Sequence, residues 1–333
     1  MWGSDLPDII HGCWQLSEGH GAAWTDAEAF RALEQACGRV AIPVLDMADI
    51  YTGVEERIGR WLAARGSGDR RPRIHTKFVP DLARLPQVDR RWVEASVEGS
   101  LRRLGVERVD LVQFHWWDFS VPGWIETAGY VADLVTAGKV GAVGVTNFDR
   151  KRLEALLEAG VPVVSNQVQL SVLDRRALGG LADFCGERGV GLLCYGTLAG
   201  GLLHERWLER ARPEDGNRSV AKYLQVVDEV GRWESLQAVL RALRDVAERC
   251  GLSVAEAAMS YARFQPAVRA IIVGLSRSPD RPPPRLRPLS EGTLRALAEV
   301  LPPTVPGEVY QAERALQGPH GRLMRYDLGG DPR

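Results

Sequence analysis

The sequence predicts an α/β chain closed as a (β/α)8 barrel. Short apolar runs rich in Val, Ile and Leu alternate with longer segments of helical period. Eight such runs occur, most separated by a helix-length segment, which implies parallel pairing through right-handed crossovers. The first run leads into GCWQLSEGHG, whereas a doubly wound open sheet would want G-x-G-x-x-G there. The closed barrel is therefore preferred.

The expected strands are residues 8–14, 43–47, 73–78, 109–115, 140–146, 163–169, 190–195 and 270–274. Thr25 is placed to cap the first helix, with Glu28 three residues on completing a capping box, and that helix should run to about Gly38. Further helices are expected over 54–65, 89–104, 125–137, 149–159, 175–188 and 253–263. The stretch 196–251 is too long for a simple crossover and reads as an elaborated loop after strand seven plus an extra helix near 232–249. Proline and arginine crowd the stretch 276–292, SRSPDRPPPRLRPLSEG, which predicts an extended loop because proline lacks an N–H donor and disfavours helix before it. The glycine-rich tail, 318–333, is expected to be mobile, and residues 1–333 read as a single domain.

Composition narrows the function. Of 333 residues, 45% are hydrophobic and 26% charged, and 42 basic against 43 acidic residues leave a net charge of −1. That balance offers no sequence-wide case for nucleic acid or an anionic membrane. The N-terminus MWGSDLPDII lacks the basic start and apolar run of a signal peptide, and no run approaches a membrane span. Cys13, Cys37, Cys185, Cys194 and Cys250 are scattered without a C-x-x-C pair, so buried free thiols in a cytoplasmic protein are expected, with no metal site.

Chemistry collects at the C-terminal ends of the strands, the rim where barrel enzymes keep their active sites. Asp46 ends strand two, Tyr51 follows in its loop, Lys77 ends strand three and His115 ends strand four. A buried carboxylate needs a counter-charge, and Lys77 is the nearest candidate for Asp46. A lysine beside Tyr51 should lower the phenol's pKa and make it a proton donor near neutral pH. His115 can offer an imidazole N–H to a substrate oxygen. Taken singly, each has a plainer explanation as a cap, a half-buried ring, a snorkelling lysine or a core histidine. Four at adjacent strand ends point to one site.

With those residues in view, the chain resembles the aldo-keto reductases, from about Ile9 to Arg277. The resemblance implies a catalytic tetrad of Asp46, Tyr51, Lys77 and His115, and NADPH (or NADH) as cofactor. It implies nicotinamide contacts from Thr146, Asn147 and Gln167, in GVTNF and NQVQ, and a stacking ring at Tyr195. GTLAGGLL, with Gly196, Leu198 and Gly200, looks like the pyrophosphate-covering segment, and Ser276 and Arg277 match the 2′-phosphate positions. The chain departs from the family pattern at Met47, Thr52 and Trp116-Trp117, and the Glu-Asn that usually contacts adenine is missing after Arg277. Arg281, Arg285 and Arg287 could add charge there. Trp14 and Trp116 are expected at the substrate, a small carbonyl compound or alcohol. A nicotinamide-binding regulatory subunit and a cofactor-independent isomerase or lyase are the alternatives; oligomeric state is not legible.

Overall fold

The computed structural model describes residues 5–66, 70–214, 216–278, 282–315 and 317–324. Eight parallel strands pair in chain order and close into a barrel. They are β1 (Ile9–Gly12), β2 (Val44–Asp46), β3 (Arg73–Phe78), β4 (Leu111–Phe114), β5 (Val143–Thr146), β6 (Val163–Gln169), β7 (Gly191–Tyr195) and β8 (Val268–Gly274). Closure comes from β1 on β8, with Ile9 opposite Ile271 and Gly12 opposite Gly274. This is the (β/α)8 barrel the alternation predicted, with most strands a few residues shorter at one or both ends.

Six helices follow the first six strands: α1 (Asp26–Gly38), α2 (Val54–Ala64), α3 (Arg90–Leu104), α4 (Trp124–Thr136), α5 (Arg150–Glu158) and α6 (Gly180–Arg188). The Thr25–Glu28 capping box is formed at the start of α1. Helix α6 begins later than expected, because Arg176 is held outside it between Asp174 and Glu313. After β7 the chain builds two additional helices where one was expected, α7 (Arg218–Val230) and α8 (Trp233–Cys250), before α9 (Val254–Arg263) leads into β8. Beyond β8 come α10 (Glu291–Val300), α11 (Gln311–Arg314) and α12 (Pro319–Met324). The tail expected to be mobile from 318 instead starts with α12, whose His320 and Gly321 are buried; residues 325–333 lie outside the described residues. No described helix is long and apolar enough to cross a membrane.

Strand alternation is what aims the site. Ile10, Val44, Leu111, Leu193, Ala270 and Ile272 form one buried cluster. Side chains two apart on a strand share a face. Asp46 therefore follows Val44 on the same face of β2, Gln113 follows Leu111 on β4, and Tyr195 follows Leu193 on β7. The apolar plug thus ends in polar groups at the C-terminal mouth. Alternate residues such as Leu45, Val112 and Phe114 pack outward against the helices. A separate cluster joins α7, α8, α9 and α10 through Val227, Leu240, Ala257 and Leu297. Each such valine or leucine contributes about 1.5–3 kcal/mol on full burial, so α7 and α10 are packed elements of the fold.

Candidate active site

Asp46 and Lys77 meet inside the mouth. The β2–β3 register sets Asp46 opposite His75, so Lys77 stands two residues further along, facing the same way. Its Nζ donates to Asp46 Oδ2 at 2.7 Å and to the Met47 carbonyl at 2.8 Å. Their side chains are only 4% and 6% exposed. A buried ion pair is tolerable only when its remaining lone pairs are also satisfied. Gln113 and Gln167 do this: their Nε2 atoms donate to Asp46 Oδ1 at 2.8 and 2.7 Å. Gln167 Nε2 also donates to Gln113 Oε1 at 2.8 Å. Gly144 makes room for this network, since a Cβ there would sit 2.4 Å from Ser165 Oγ and 3.3 Å from Gln113 Cγ. Gln113 carries no signature in the sequence, because one amide in the run DLVQF looks like any polar break in a strand.

Tyr51 sits in the turn after β2, its N–H donating to the Ala48 carbonyl and its carbonyl accepting from Val54. Lys77 Nζ lies 5.3 Å from the centre of its ring. The expected lowering of its pKa is not what this environment produces. Burial, then the nearby Asp46 carboxylate, Cys13 and Asp49 push the phenol above its ordinary value. Lys77 directs two of its three N–H donors to Asp46 and Met47, and the phenol keeps its proton across the physiological range.

His115 also departs from expectation. Its Nδ1 lies 3.3 Å from the Thr146 carbonyl oxygen. A carbonyl can only accept, so Nδ1 carries the proton of the neutral ring. Burial first, then Arg314, hold its pKa well below the usual histidine range. Nε2 is left buried without a partner, as an acceptor and not the N–H donor the sequence suggested. Trp117 and Tyr310 meet the ring edge-on, 4.6 and 5.6 Å between centres.

Thr146, Asn147, Gln167 and Tyr195 line the cavity beside these groups. Asn147 adopts a left-handed φ of 63°, and its Oδ1 accepts from the Tyr195 hydroxyl at 2.8 Å. Thr146 Oγ1 donates to the Gln167 carbonyl at 3.1 Å. Because the Gln167 amide nitrogen is already bound to Asp46 and Gln113, Asn147 is the better placed of the two amides to meet a ligand. Gly196, Leu198 and Gly200 form the next part of the wall. Their glycines serve packing as well: at Gly196, φ 75°, a Cβ would lie 2.2 Å from the Tyr223 hydroxyl of α7.

Ser276 and Arg277 also line the cavity. Arg277 donates to the carbonyls of Ala22 and Ala23 at 2.5 and 2.6 Å, and stacks 4.4 Å over Trp24. It is half-exposed, with Glu28 Oε1 at 3.4 Å. Arg285 pairs with Glu256 at 3.5 Å, whereas Arg287 is exposed and donates only its backbone N–H, to Ser260 Oγ of α9; Arg281 lies outside the described residues.

Trp14 lines the cavity, and Trp116 does not. Trp116 is fully buried, its Nε1 donating to the Val121 carbonyl at 3.1 Å and its ring 5.9 Å from Phe114. Trp117 takes the place expected of it: it lines the cavity and is anchored by Nε1 to the Pro80 carbonyl at 2.9 Å. Strand parity does not extend past Phe114, where β4 ends, so it does not decide between two adjacent tryptophans. Tyr310 was missed altogether, as was Arg314, whose guanidinium donates to the Trp116 and Asn147 carbonyls at 2.9 and 2.7 Å. Through Arg314 the C-terminal segment is tied over the mouth; burial brings its pKa down to about 10.

Asp46, Tyr51, Lys77, His115, Asn147, Tyr195 and Arg277 border one cavity of about 1210 Å³. Ligand pockets for drug-sized molecules span roughly 300–1,000 Å³, so this one exceeds the usual size for a single such ligand.

The chain belongs to the aldo/keto reductase family, whose model matches residues 8–281. It is 30% identical over 291 residues to the L-glyceraldehyde 3-phosphate reductase of Escherichia coli O157:H7, covering 83% of this chain and 82% of that protein. It is 28% identical over 290 residues to Protein tas of Escherichia coli strain K12, covering 75% and 81%. Among solved structures it resembles the glycerol dehydrogenase of Gluconobacter oxydans, with a TM-score of 0.72 at 25% identity, over 90% of this chain and 94% of that one.

Proposed function

We propose that the protein is an NADPH-dependent reductase of an aldehyde or ketone, working reversibly as an alcohol dehydrogenase. The observation that carries this reading is the convergence of Asp46, Tyr51, Lys77 and His115 with Asn147 and Tyr195 on one large cavity. The residues present fit a nicotinamide dinucleotide. The Tyr195 ring offers a stacking surface held in place by Asn147, and the unpartnered His115 Nε2 marks where a reacting group with a hydroxyl would satisfy a buried acceptor. Arg277, already oriented by two carbonyls and Trp24, is available to a 2′-phosphate in charge-assisted fashion. The bound cofactor would supply the hydride.

The protein's own part is proton delivery and orientation. Tyr51 is the proton donor to the substrate oxygen. Its raised pKa keeps it in the acid form, so the carbonyl direction needs no prior change of protonation state. The Lys77 ammonium stabilises the phenolate left after transfer, and Asp46 holds that ammonium in place. His115 Nε2, as an acceptor, orients a hydroxylated form of the substrate, the alcohol product above all. Trp14, Trp117 and Tyr310 shape an aromatic wall that keeps water from the reacting centre.

Titration with NADPH and NADH, followed by turnover with a panel of small aldehydes and alcohols, tests the proposal. Tight NADPH binding with turnover supports it. Binding without turnover would favour a regulatory subunit, and neither would favour a barrel that needs no nicotinamide.

A further inference from the structure

Lys222 lies on α7, 2% exposed and on the cavity wall. It forms no hydrogen bond or ion pair with the described residues; its Nζ rests over the rings of Tyr195 and Tyr223, 4.8 and 5.1 Å from their centres. Behind it, Arg176 bridges Asp174 and Glu313 with contacts of 2.7 and 2.9 Å, all three buried. That trio carries one excess negative charge, and Lys222 balances it through space. The balance accounts for the charge being tolerated there. It leaves the three N–H donors of the ammonium without acceptors, at a position where two aromatic faces supply attraction but no hydrogen bond. Burial brings its pKa down to about 8, so the cation persists at neutral pH.

Resting on the reductase reading above, we infer that Lys222 recognises a phosphate group carried into the cavity. An oxyanion would supply the acceptors that the two aromatic faces do not, and such charge-assisted bonds are the strong ones. Two molecules could bring that phosphate. One is the dinucleotide, through its pyrophosphate, since Gly196 and Gly200 of the adjoining wall pack directly on Tyr223. The other is a phosphorylated aldehyde, reaching back from the reacting centre past Tyr195.

The test compares wild type with Lys222→Met and Lys222→Gln, each first checked for a cooperative melt. NADPH dissociation constants come from fluorescence titration. The kcat/KM ratio of glyceraldehyde 3-phosphate over glyceraldehyde is measured beside them. Loss of one charge-assisted bond should change one of these quantities by about 10–100-fold. A weakened NADPH constant with an unchanged ratio assigns the phosphate to the cofactor. A collapsed ratio with an unchanged constant assigns it to the substrate. Should both quantities stay within about threefold of wild type while the melting temperature falls, Lys222 only balances the Asp174–Arg176–Glu313 charge and the inference is wrong. Lys222→Arg keeps the cation and should retain most of the effect, which gives a reading even where the neutral variants fold poorly. The reductase reading fails separately, in wild type, if NADPH neither binds nor turns over.

Discussion

Asp46 receives three hydrogen bonds inside the barrel mouth, and the one from Lys77, at 2.7 Å, is the only one of the three from a charged group. Every donor around that carboxylate therefore expects an acceptor. Lys77→Met should leave Asp46 buried with no cation, and breaking a buried pair from one side costs about 3–5 kcal/mol. Asp46→Asn is not mild either. Its NH2 must point at Lys77 or at the two glutamine amides, so it loses an acceptor and adds a clash of donors, at about 1–3 kcal/mol for the unsatisfied group. Denaturant melts of both variants check this; an unchanged midpoint for Lys77→Met would mean the pair does not hold in solution.

The two adjacent tryptophans should behave differently. Trp116→Phe removes a fully buried indole and its bond to Val121, so it should lower stability by about 1–2 kcal/mol, while KM changes little. Trp117→Phe alters the cavity wall and frees the Pro80 carbonyl, so it should shift KM among aldehydes of different size. Steady-state kinetics with two aldehydes, beside thermal melts, separates the cases. A KM change confined to Trp116→Phe would restore the sequence-based choice.

Acid should destabilise the fold through its histidines. His20 and His75 are buried, and burial brings both pKa values down to about 4 from an ordinary 6.5. The folded state keeps them neutral while the unfolded chain takes up protons below about 6.5. Stability is thus lost as pH falls from about 6.5 to about 4, by up to about 1.4 kcal/mol per pH unit for each histidine. Melting temperatures at pH 7 and pH 5 should differ, and the difference should shrink in His75→Gln. An equal drop in wild type and variant would remove His75 from the account.

Arg277→Ala tests cofactor choice. A charge-assisted hydrogen bond contributes about 1.5–3 kcal/mol, equivalent to roughly 10–150-fold in affinity. NADPH should weaken by about that factor and NADH hardly at all. Because Arg277 also secures Ala22 and Ala23, equal losses for both cofactors would indicate that it only braces the loop.

The barrel was legible because parallel strands buried on both faces leave near-continuous apolar runs, and because the residue after such a run lands on the rim. Asp46, Lys77 and His115 could be placed on that basis. What lay beyond a strand end could not: Trp116 and Trp117 are adjacent in sequence, and only the backbone path after Phe114 decides which one meets the cavity. Helix α7 was lost in a stretch judged by its length, although Asn217 caps it and Val220, Val227 and Val230 mark its buried side. Tyr310, Arg314 and Lys222 reach the site through long-range packing, which no local pattern records. The protonation of Tyr51 and the tautomer of His115 depend on burial and on one carbonyl, and neither has a sequence signature.

The central claim is that Tyr51 delivers the proton, and Tyr51→Phe tests it most directly. The substitution keeps the ring beside Lys77 and Trp14 and removes only the hydroxyl. General acid catalysis contributes about 10²–10⁴-fold. The measurement is single-turnover reduction of an aldehyde under saturating NADPH, with the NADPH dissociation constant determined on the same preparation. The account predicts a rate lower by at least that range, with cofactor affinity within about twofold of wild type. A variant that binds NADPH normally and reduces the aldehyde at near wild-type rate would contradict it.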